Sequence, residues 1–382
     1  MKKIYFDYAA TTPADPEVIK AMEPYFLEKF GNPSSPHNVG REARKALENS
    51  RETLAFFLGA RPQEIVFTCS GSESNNHAIL GIARSLKARG HHLILSSIEH
   101  HSVLEPALYL QQEGFKVTFV PVNEQGLVNP DDIKKAITDK TILIALIHAS
   151  NEIGTLQDVS AIGKMARERG IYFHVDAVQT VGHLMVQVND IGCHTLSLAA
   201  HKFYGPKGVG ALYIRSGTPV MNYLLGGDQE RGRRASTQNV AGTVGLAKAS
   251  ELCCARMEEE IKTQTFLRDK LITEIPKRID QCFLNGHPRQ RLPNNVHFSF
   301  ASLTGEALLM SLDMVGIASS MGSACTAGSL EASHVLKALG LSDELAFGAL
   351  RISIGRWTTL EEVDYFLDQL QEIVPRLRAA NV

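Results

Sequence analysis

The sequence predicts an α/β fold with a mainly parallel, seven-stranded sheet covered by helices and a smaller α+β domain beside it. From about residue 62, short runs rich in β-branched residues alternate with amphipathic stretches, a pattern typical of parallel strands joined by helices. The run at 141–148 is almost entirely apolar, as expected of a strand buried on both faces. The predicted strands lie at 64–68, 92–96, 116–120, 141–148, 171–175, 196–200 and 209–214.

Helical periodicity predicts the elements that cover this sheet, at 73–88, 103–113 and 160–169. The strand at 209–214 follows a tight turn and is expected to add in the antiparallel direction. After a basic loop, a long helix runs from about residue 240 into the 270s. The remainder alternates between strands and helices, at 295–300, 305–312, 317–318, 330–339, 351–354 and 360–376. We therefore expect a large domain at 15–258 and a small domain formed by 1–14 and 259–382.

Composition narrows the possible functions. The 382 residues suffice for two domains, and 39 basic and 41 acidic side chains give a net charge of −2. Nothing in this balance indicates binding to nucleic acid or to an anionic membrane. The acidic Asp7 precedes any apolar run long enough for a signal peptide, and no run could span a bilayer. Six cysteines without a CxxC pair suggest neither zinc nor a disulfide framework, so we predict a cytoplasmic protein without a metal.

Two strand ends carry the most informative residues. The strand at 196–200 is followed by His201 and Lys202, and the strand at 171–175 is followed by Asp176. The carboxyl ends of parallel strands are where α/β folds bind ligands. A single lysine at such a position is more often a surface residue, but the carboxylate of Asp176 at a neighbouring strand end favours a functional lysine. Pyridoxal 5'-phosphate (PLP) needs a lysine that forms an imine and an acid that keeps its pyridine nitrogen protonated.

The turn at 69–76 is a candidate site for the cofactor phosphate. It joins a predicted strand to a predicted helix, where small residues and the helix dipole favour an anion. Gly71 and Ser72 would be the nearest donors. The alternative is that Ser70 or Ser72 only caps the helix.

Further polar residues follow other strands of the predicted sheet. His100 is placed to stack on the cofactor ring and to transfer protons, and Asn151 and Gln179 are placed to donate to its phenolic oxygen. Taken singly, each is also compatible with an ordinary residue of a surface turn. Their recurrence at successive strand ends favours one shared site.

Two residues of the second domain extend this site. Cys325 lies in a segment of small residues, which suits an exposed nucleophilic thiol, although a cysteine packed against a tight turn remains possible. Arg351 interrupts an apolar strand and therefore needs an anionic partner, either a substrate carboxylate or an internal acid. Arg356 is expected to be structural.

Motifs along nearly the whole chain resemble the cysteine desulfurases of the NifS/IscS type, which are fold-type I, PLP-dependent, class V aminotransferase-like enzymes. The matching segments are 5–13 (YFDYAATTP), 30–35 (FGNPSS), 151–154 (NEIG), 174–179 (HVDAVQ), 201–208 (HKFYGPKG), 229–232 (QERG) and 323–326 (SACT).

The resemblance implies a role for each site residue. Lys202 would bind PLP covalently, Asp176 would pair with its pyridine nitrogen and Gln179 with its phenolic oxygen. His100 would stack on the ring and act as acid and base. The phosphate would be held by Gly71, Ser72, His201 and, across a homodimer interface, Thr237.

The resemblance also implies the reaction. Asn151 and Arg351 would bind the carboxylate of L-cysteine, and Cys325 would take its sulfur as a persulfide, leaving L-alanine. Sulfur-acceptor proteins would then receive the sulfur for iron–sulfur clusters or other products. The chain departs from the family pattern at Ala199, where a phosphate-binding serine is usual, and in the turn at 69–73.

Two other functions remain open at this stage. A selenocysteine lyase would share the cofactor without needing Cys325. A sulfur-transfer scaffold of low turnover would need partners more than catalytic residues, and the joint presence of Lys202, Asp176, His100 and Cys325 argues against it. The sequence does not identify the sulfur acceptor.

Overall fold

The computed structural model describes residues 3–322 and 332–380. In chain order the strands of this part of the protein are β1 (Ile4–Tyr5), β2 (Ile65–Thr68), β3 (His92–Ser96), β4 (Lys116–Val120), β5 (Thr141–Ile147), β6 (Tyr172–Asp176), β7 (Thr195–Ala199), β8 (Gly210–Ile214), β9 (Cys282–Leu284), β10 (Asn295–Phe300), β11 (Ile317–Ala318) and β12 (Ala349–Ser353).

The helices follow the same chain order. They are α1 (Pro16–Met22), α2 (Pro24–Leu27), α3 (Asn38–Leu58), α4 (Gly71–Ser85), α5 (His101–Gln112), α6 (Pro130–Ala136), α7 (Val159–Glu168), α8 (Val188–Ile191), α9 (Gln229–Gly232), α10 (Val240–Arg278), α11 (Gly305–Met314), α12 (His334–Ala338), α13 (Asp343–Phe347) and α14 (Leu360–Ala380). Short 3-10 turns occupy Pro62–Glu64 and Ala200–Lys202. Within the described ranges, no helix is long and apolar enough to cross a membrane.

The largest sheet confirms the predicted architecture. Its seven strands have the order β2-β8-β7-β6-β5-β3-β4. Only β8 runs against its two neighbours, as expected for a strand entered through a tight turn. All seven residues of β5 are buried, because helices cover both faces of the sheet. The carboxyl ends of β5, β6 and β7 therefore open together at one edge.

A second unit is built around β10, which pairs with β9 and β12 in antiparallel register. Its core packs Phe298, Ile352 and Phe366, and α14 closes one side. The chain's first strand also belongs here, since β1 pairs with β11 in parallel. This arrangement brings the N-terminal segment between the two units.

Helix α10 is common to both cores. Its first half buries Leu246 and Met257 against the large sheet, whereas Leu267 and Ile275 pack in the second core. The predicted domain boundary at residue 258 lies where α10 passes from the first core to the second. It stays a prediction, because one continuous helix crosses this position.

Several elements were not anticipated from the pattern. Helix α3, which buries Leu47, Leu54 and Leu58 and ends at Gly59 with φ 65°, lies before the alternating region begins. The short edge strand β9 and helix α13 were also missed. The helix predicted at 330–339 is shorter than predicted: α12 begins at His334, after the N-cap Ser333, and positions 330 and 331 lie outside the described residues.

Candidate active site

One pocket lies at the carboxyl ends of the central strands and collects most of the predicted site. Nine of the predicted residues line it: Gly71, Ser72, His100, Asn151, Asp176, Gln179, His201, Lys202 and Arg351. They come from both units and from five separate connections of the large sheet. The fold thus brings together residues up to 280 positions apart, as 351 minus 71 gives.

Lys202 enters the pocket from the 3-10 turn that follows β7. Its Nζ donates to the backbone carbonyls of Ala9 at 2.6 Å and Ala10 at 2.8 Å. Gln179 Nε2 also donates to the Ala9 carbonyl, at 3.0 Å. The N-terminal segment therefore orients the amine, a contribution for which the sequence offered no local signal.

Asp176 is the last residue of β6 and is nearly fully buried. Its Oδ1 accepts from the backbone N–H of Val178 at 3.0 Å, and its Oδ2 accepts from Asn75 Nδ2 at 2.8 Å. Two donors on separate elements fix the plane of the carboxylate. A fixed, buried acid suits a partner that carries a protonated ring nitrogen.

Asn75 connects Asp176 to a second layer of polar residues. Its Nδ2 also donates to Ser102 Oγ at 2.8 Å, so its Oδ1 is left to accept from His174 Nε2 at 2.9 Å. His174 Nδ1 then accepts from the Thr195 hydroxyl at 2.9 Å. Burial lowers the pKa of His174 to about 3, which keeps its ring neutral in this tautomer.

Sequence reasoning missed Asn75, although a signal existed. Gly71 and Asn75 are four residues apart at the start of α4 and therefore lie on one helix face. Once Gly71 is placed against the pocket, that spacing brings Asn75 toward the same side.

His100 caps α5 and faces the pocket from the loop after β3. Its Nδ1 accepts from the backbone N–H of Ser102 at 3.1 Å and lies 2.7 Å from the Ser102 hydroxyl. These contacts place the ring proton on Nε2. Burial lowers the pKa of His100 below its ordinary value, against an opposing effect of Asp176, so the ring is neutral and able to accept a proton.

The turn before α4 serves as both a helix cap and a pocket wall. Ser70 Oγ accepts from the backbone N–H of Glu73 at 3.1 Å, so Ser70 is the cap. Gly71 and Ser72 line the pocket at the helix N-terminus, where unpaired N–H groups favour an anion. A Cβ on Gly71 would lie 2.6 Å from Val178 Cγ2, so this close approach requires glycine.

His201 and Ala199 complete this wall. His201 Nδ1 lies 3.2 Å from the Thr11 hydroxyl, and burial lowers the pKa of His201 to about 4. A neutral His201 offers one ring N–H to an acceptor. Ala199 is buried and contributes only a methyl group to this wall.

Arg351 has the internal acidic partner that was one of the two alternatives left open by the sequence, and it also lies at the pocket. Its Nη2 donates to Asp7 Oδ1 at 2.8 Å and its Nη1 to the Asn151 carbonyl at 2.9 Å, while the residue also lines the pocket. Only 1% of its surface is exposed. Arg356 is structural as expected, since it pairs with Asp15 at 2.6 Å and lies over the Tyr204 ring at 4.0 Å.

Two predicted residues are not in this pocket. Thr237 is exposed and lines a separate recess together with residues 25–26 and 29–32. Cys325 lies outside the described residues. Among the residues that are described, no cluster of side chains could hold a metal ion.

Fold and site together define a class: an α/β protein whose ligand pocket is lined by both a lysine amine and a buried carboxylate. The chain belongs to the aminotransferase class-V family, whose pattern matches residues 4–366. This result confirms the family-level prediction made from the motifs.

Individual relatives cover nearly the whole chain. A protein named cysteine desulfurase IscS from Dictyoglomus turgidum is 52% identical over 380 residues, with 100% of this chain and 96% of the relative aligned. A protein of the same name from Methanosarcina thermophila is 50% identical over 377 residues, covering 99% and 93%.

Solved structures agree with the fold. One described as a NifS-like protein superposes with a TM-score of 0.93 at 38% identity, covering 98% of this chain and 100% of that chain. A structure described as SspA in complex with cysteine has a TM-score of 0.82 at 37% identity, covering 94% and 100%. The predicted fold class is therefore confirmed.

Proposed function

We propose that this protein is a PLP-dependent cysteine desulfurase that converts L-cysteine to L-alanine and transfers the sulfur through Cys325. The observation that carries the proposal is the convergence of Lys202, Asp176, His100 and Arg351 on one pocket. An amine, a buried acid, a neutral base and a cation that can bind a carboxylate form a set suited to a PLP-bound amino acid.

The residues present fit the cofactor. Gly71 permits the close approach of the phosphate turn to Val178, which a Cβ would prevent, and Ser72 and His201 supply donors for a phosphate. Asp176 is held in place by two N–H donors, from Asn75 and Val178, and can pair with a protonated ring nitrogen. When bound, PLP supplies an electron sink for bonds to the substrate's α-carbon.

The chain's own residues divide the remaining work. Lys202 would hold the cofactor covalently until substrate binds, and Asp176 would keep its ring nitrogen protonated. Gln179 and Asn151 would donate to its phenolic oxygen. His100, neutral with its proton on Nε2, would stack on the ring and move protons to and from the substrate.

Arg351 would bind the substrate carboxylate with help from Asn151. Asp7 and the Asn151 carbonyl already orient two nitrogens of the guanidinium, so little conformational freedom is lost on binding. Because Asp7 already pairs with this buried arginine, a substrate carboxylate would be the second anion that the guanidinium binds.

The sulfur step belongs to Cys325. Its thiolate would attack the sulfur of the bound cysteine, forming the S–S bond of a persulfide while the carbon–sulfur bond breaks. The electron pair of that bond goes to carbon, which is protonated and becomes the methyl group of alanine. An acceptor thiol would later remove the outer sulfur.

A homodimer is part of this proposal. Thr237 does not line the pocket of its own chain but lines a separate recess beside the exposed Phe26 and Phe30. A second copy covering these aromatic side chains would bring its own Thr237 toward the phosphate turn. The cytoplasmic location, the sulfur acceptor and the absence of direct nucleic-acid binding remain predictions.

The test uses purified protein with L-cysteine and a thiol reductant. We expect alanine and sulfide in equal amounts, and we expect Cys325→Ala to lose sulfide release while keeping the visible absorbance of PLP. Cys254→Ala is the matched control, because Cys254 is an exposed cysteine on α10. Unchanged sulfide release from Cys325→Ala would reject the nucleophile, and selenocysteine turnover surviving alone would favour a lyase.

A further inference from the structure

The residues on either side of segment 323–331 are held by separate contacts. On the N-terminal side, the backbone of Ser320 pairs with that of Arg351, with N···O distances of 3.2 and 2.6 Å. The Met321 carbonyl accepts from His297 Nε2 at 3.3 Å. Burial lowers the pKa of His297 to about 3, so the ring is neutral, and Nδ1 accepts from Asn285 Nδ2 at 2.9 Å, which leaves the ring proton on Nε2.

On the C-terminal side, Ser333 and His334 are anchored at the start of α12. The Ser333 hydroxyl caps this helix and donates to Glu152 Oε2 at 2.6 Å. His334 Nε2 donates to the Glu99 carbonyl at 3.0 Å, and its ring lies 5.0 Å from that of His101.

Glu152 is adjacent to both sides. Its Oε2 would lie 2.8 Å from a Cβ placed on Gly322, and the same oxygen accepts from Ser333. Gly322 has φ 155°, so glycine suits both the backbone and this approach. The carboxylate of Glu152 thus lies between the last described residue before segment 323–331 and the second one after it.

Glu152 is itself firmly placed. Only 2% of its surface is exposed, its carbonyl accepts from Asn295 Nδ2 at 3.1 Å, and its backbone N–H donates to Ser150 Oγ at 3.3 Å. It follows Asn151, which lines the pocket and binds Arg351. The loop after β5 therefore contains both Asn151, which lines the pocket, and Glu152, which contacts the residues on either side of segment 323–331.

We infer that Glu152 is a positioning residue for sulfur transfer. By binding Ser333 and packing against Gly322, it fixes, relative to the substrate site, the two described residues between which Cys325 lies in the chain. This inference rests on the proposed function. Displacement of a nucleophile by about 1 Å can slow a reaction about a hundredfold without weakening substrate binding.

The experiment compares Glu152→Ala, Glu152→Gln and Ser333→Ala with a matched control, Ser342→Ala. Ser342 caps α13 in the same way, through Leu345 N–H at 3.4 Å, but does not contact Glu152. Single-turnover formation of alanine from L-cysteine reports sulfur transfer, and the change in PLP absorbance on titration with cysteine reports substrate binding.

We expect Glu152→Ala and Ser333→Ala to lower the single-turnover rate by about tenfold or more, with cofactor content and cysteine affinity unchanged. The double variant should be no slower than Glu152→Ala, because both substitutions remove the same hydrogen bond, the one between Ser333 and Glu152. Glu152→Gln keeps an acceptor oxygen and should retain most of the rate. Ser342→Ala should match the wild type.

The inference is overturned if Ser333→Ala stays within about twofold of the wild type, or if Ser342→Ala is equally slow. A parallel loss of cofactor would also reject it, because the role would then be general stability. Ser333→Ala reports on the same contact if Glu152→Ala fails to fold. A wild-type protein that forms no alanine would reject the proposed function itself.

Discussion

Asn75 donates to Asp176 Oδ2 over 2.8 Å, and the other N–H of the same amide reaches Ser102, which contacts His100. One side chain on α4 therefore orients the acid of β6 and, through a serine, the histidine of α5. Asp176, proposed to pair with the ring nitrogen of the cofactor, and His100, proposed to stack on that ring, are therefore both oriented through Asn75.

Replacing Asn75 with alanine should weaken PLP binding about tenfold or more. The change removes a donor from a buried carboxylate oxygen and from a partly buried hydroxyl, and the loss at the buried oxygen alone costs on the order of 1–3 kcal/mol. Equilibrium titration of the apoprotein with PLP measures the effect. Asn189→Ala, which removes an exposed amide bonded to the Gly59 carbonyl, is the control. Equal affinities would show that Asn75 does not orient Asp176.

The acid limb of the pH profile should depend on His100. Its pKa lies below the ordinary 6.5, mainly through burial, so the neutral base is present at pH 6.5 and above. As pH falls through the lowered pKa, the ring is protonated and kcat/KM should drop. In His100→Gln the rate should be low and this limb absent. A variant that kept the wild-type limb would assign the ionisation to another group.

The central sheet and the strand-end residues were predictable because they depend on local patterns. An apolar run such as β5 and a polar residue directly after a strand are both visible in the sequence. The contacts of Lys202 with Ala9 and Ala10 were not, since small apolar residues in an N-terminal loop reveal nothing about which carbonyls meet an amine.

Partnerships between distant charges were also beyond reach of the pattern. Arg351 was recognised as needing an anion, but its ion pair with Asp7 joins positions 344 apart and depends on the parallel bridge between Asp7 and Ser353 of β12. The sequence therefore indicated that Arg351 needs an anionic partner but could not indicate that Asp7 is one.

Glu99 should make stability fall as pH rises. The side chain is fully buried beside Asp176, and this burial raises its pKa from 4.5 to about 8, although Ser96 and the Ile147 N–H contact one oxygen. Between these values the folded state keeps a proton that the unfolded chain has released, so the free energy of unfolding decreases with pH.

Substitution of Glu99 by glutamine removes this titration without changing the size of the side chain. The melting temperatures of variant and wild type should be similar near about pH 5, and the variant should melt several degrees higher near about pH 9. Thermal unfolding of both proteins across this range measures the difference. Both proteins contain the same histidines, so histidine titration contributes equally to both curves and does not affect the difference. If the two melting temperatures differed by the same amount at every pH, Glu99 would not titrate between about pH 5 and about pH 9 in the folded protein, and the prediction would be wrong.

Restoring a hydroxyl at position 199 should tighten cofactor binding. Ala199 ends β7, lines the pocket and lies 3.6 Å from the Cβ position of Gly71, so a serine there would place a donor beside the phosphate turn. A hydrogen bond to a charged group contributes about 1.5–3 kcal/mol, which corresponds to roughly tenfold or more in affinity. PLP titration of Ala199→Ser measures this gain, and Ser72→Ala should shift affinity in the opposite direction. An affinity that stayed constant in Ala199→Ser, while Ser72→Ala weakened binding, would mean that the phosphate lies nearer α4 than β7.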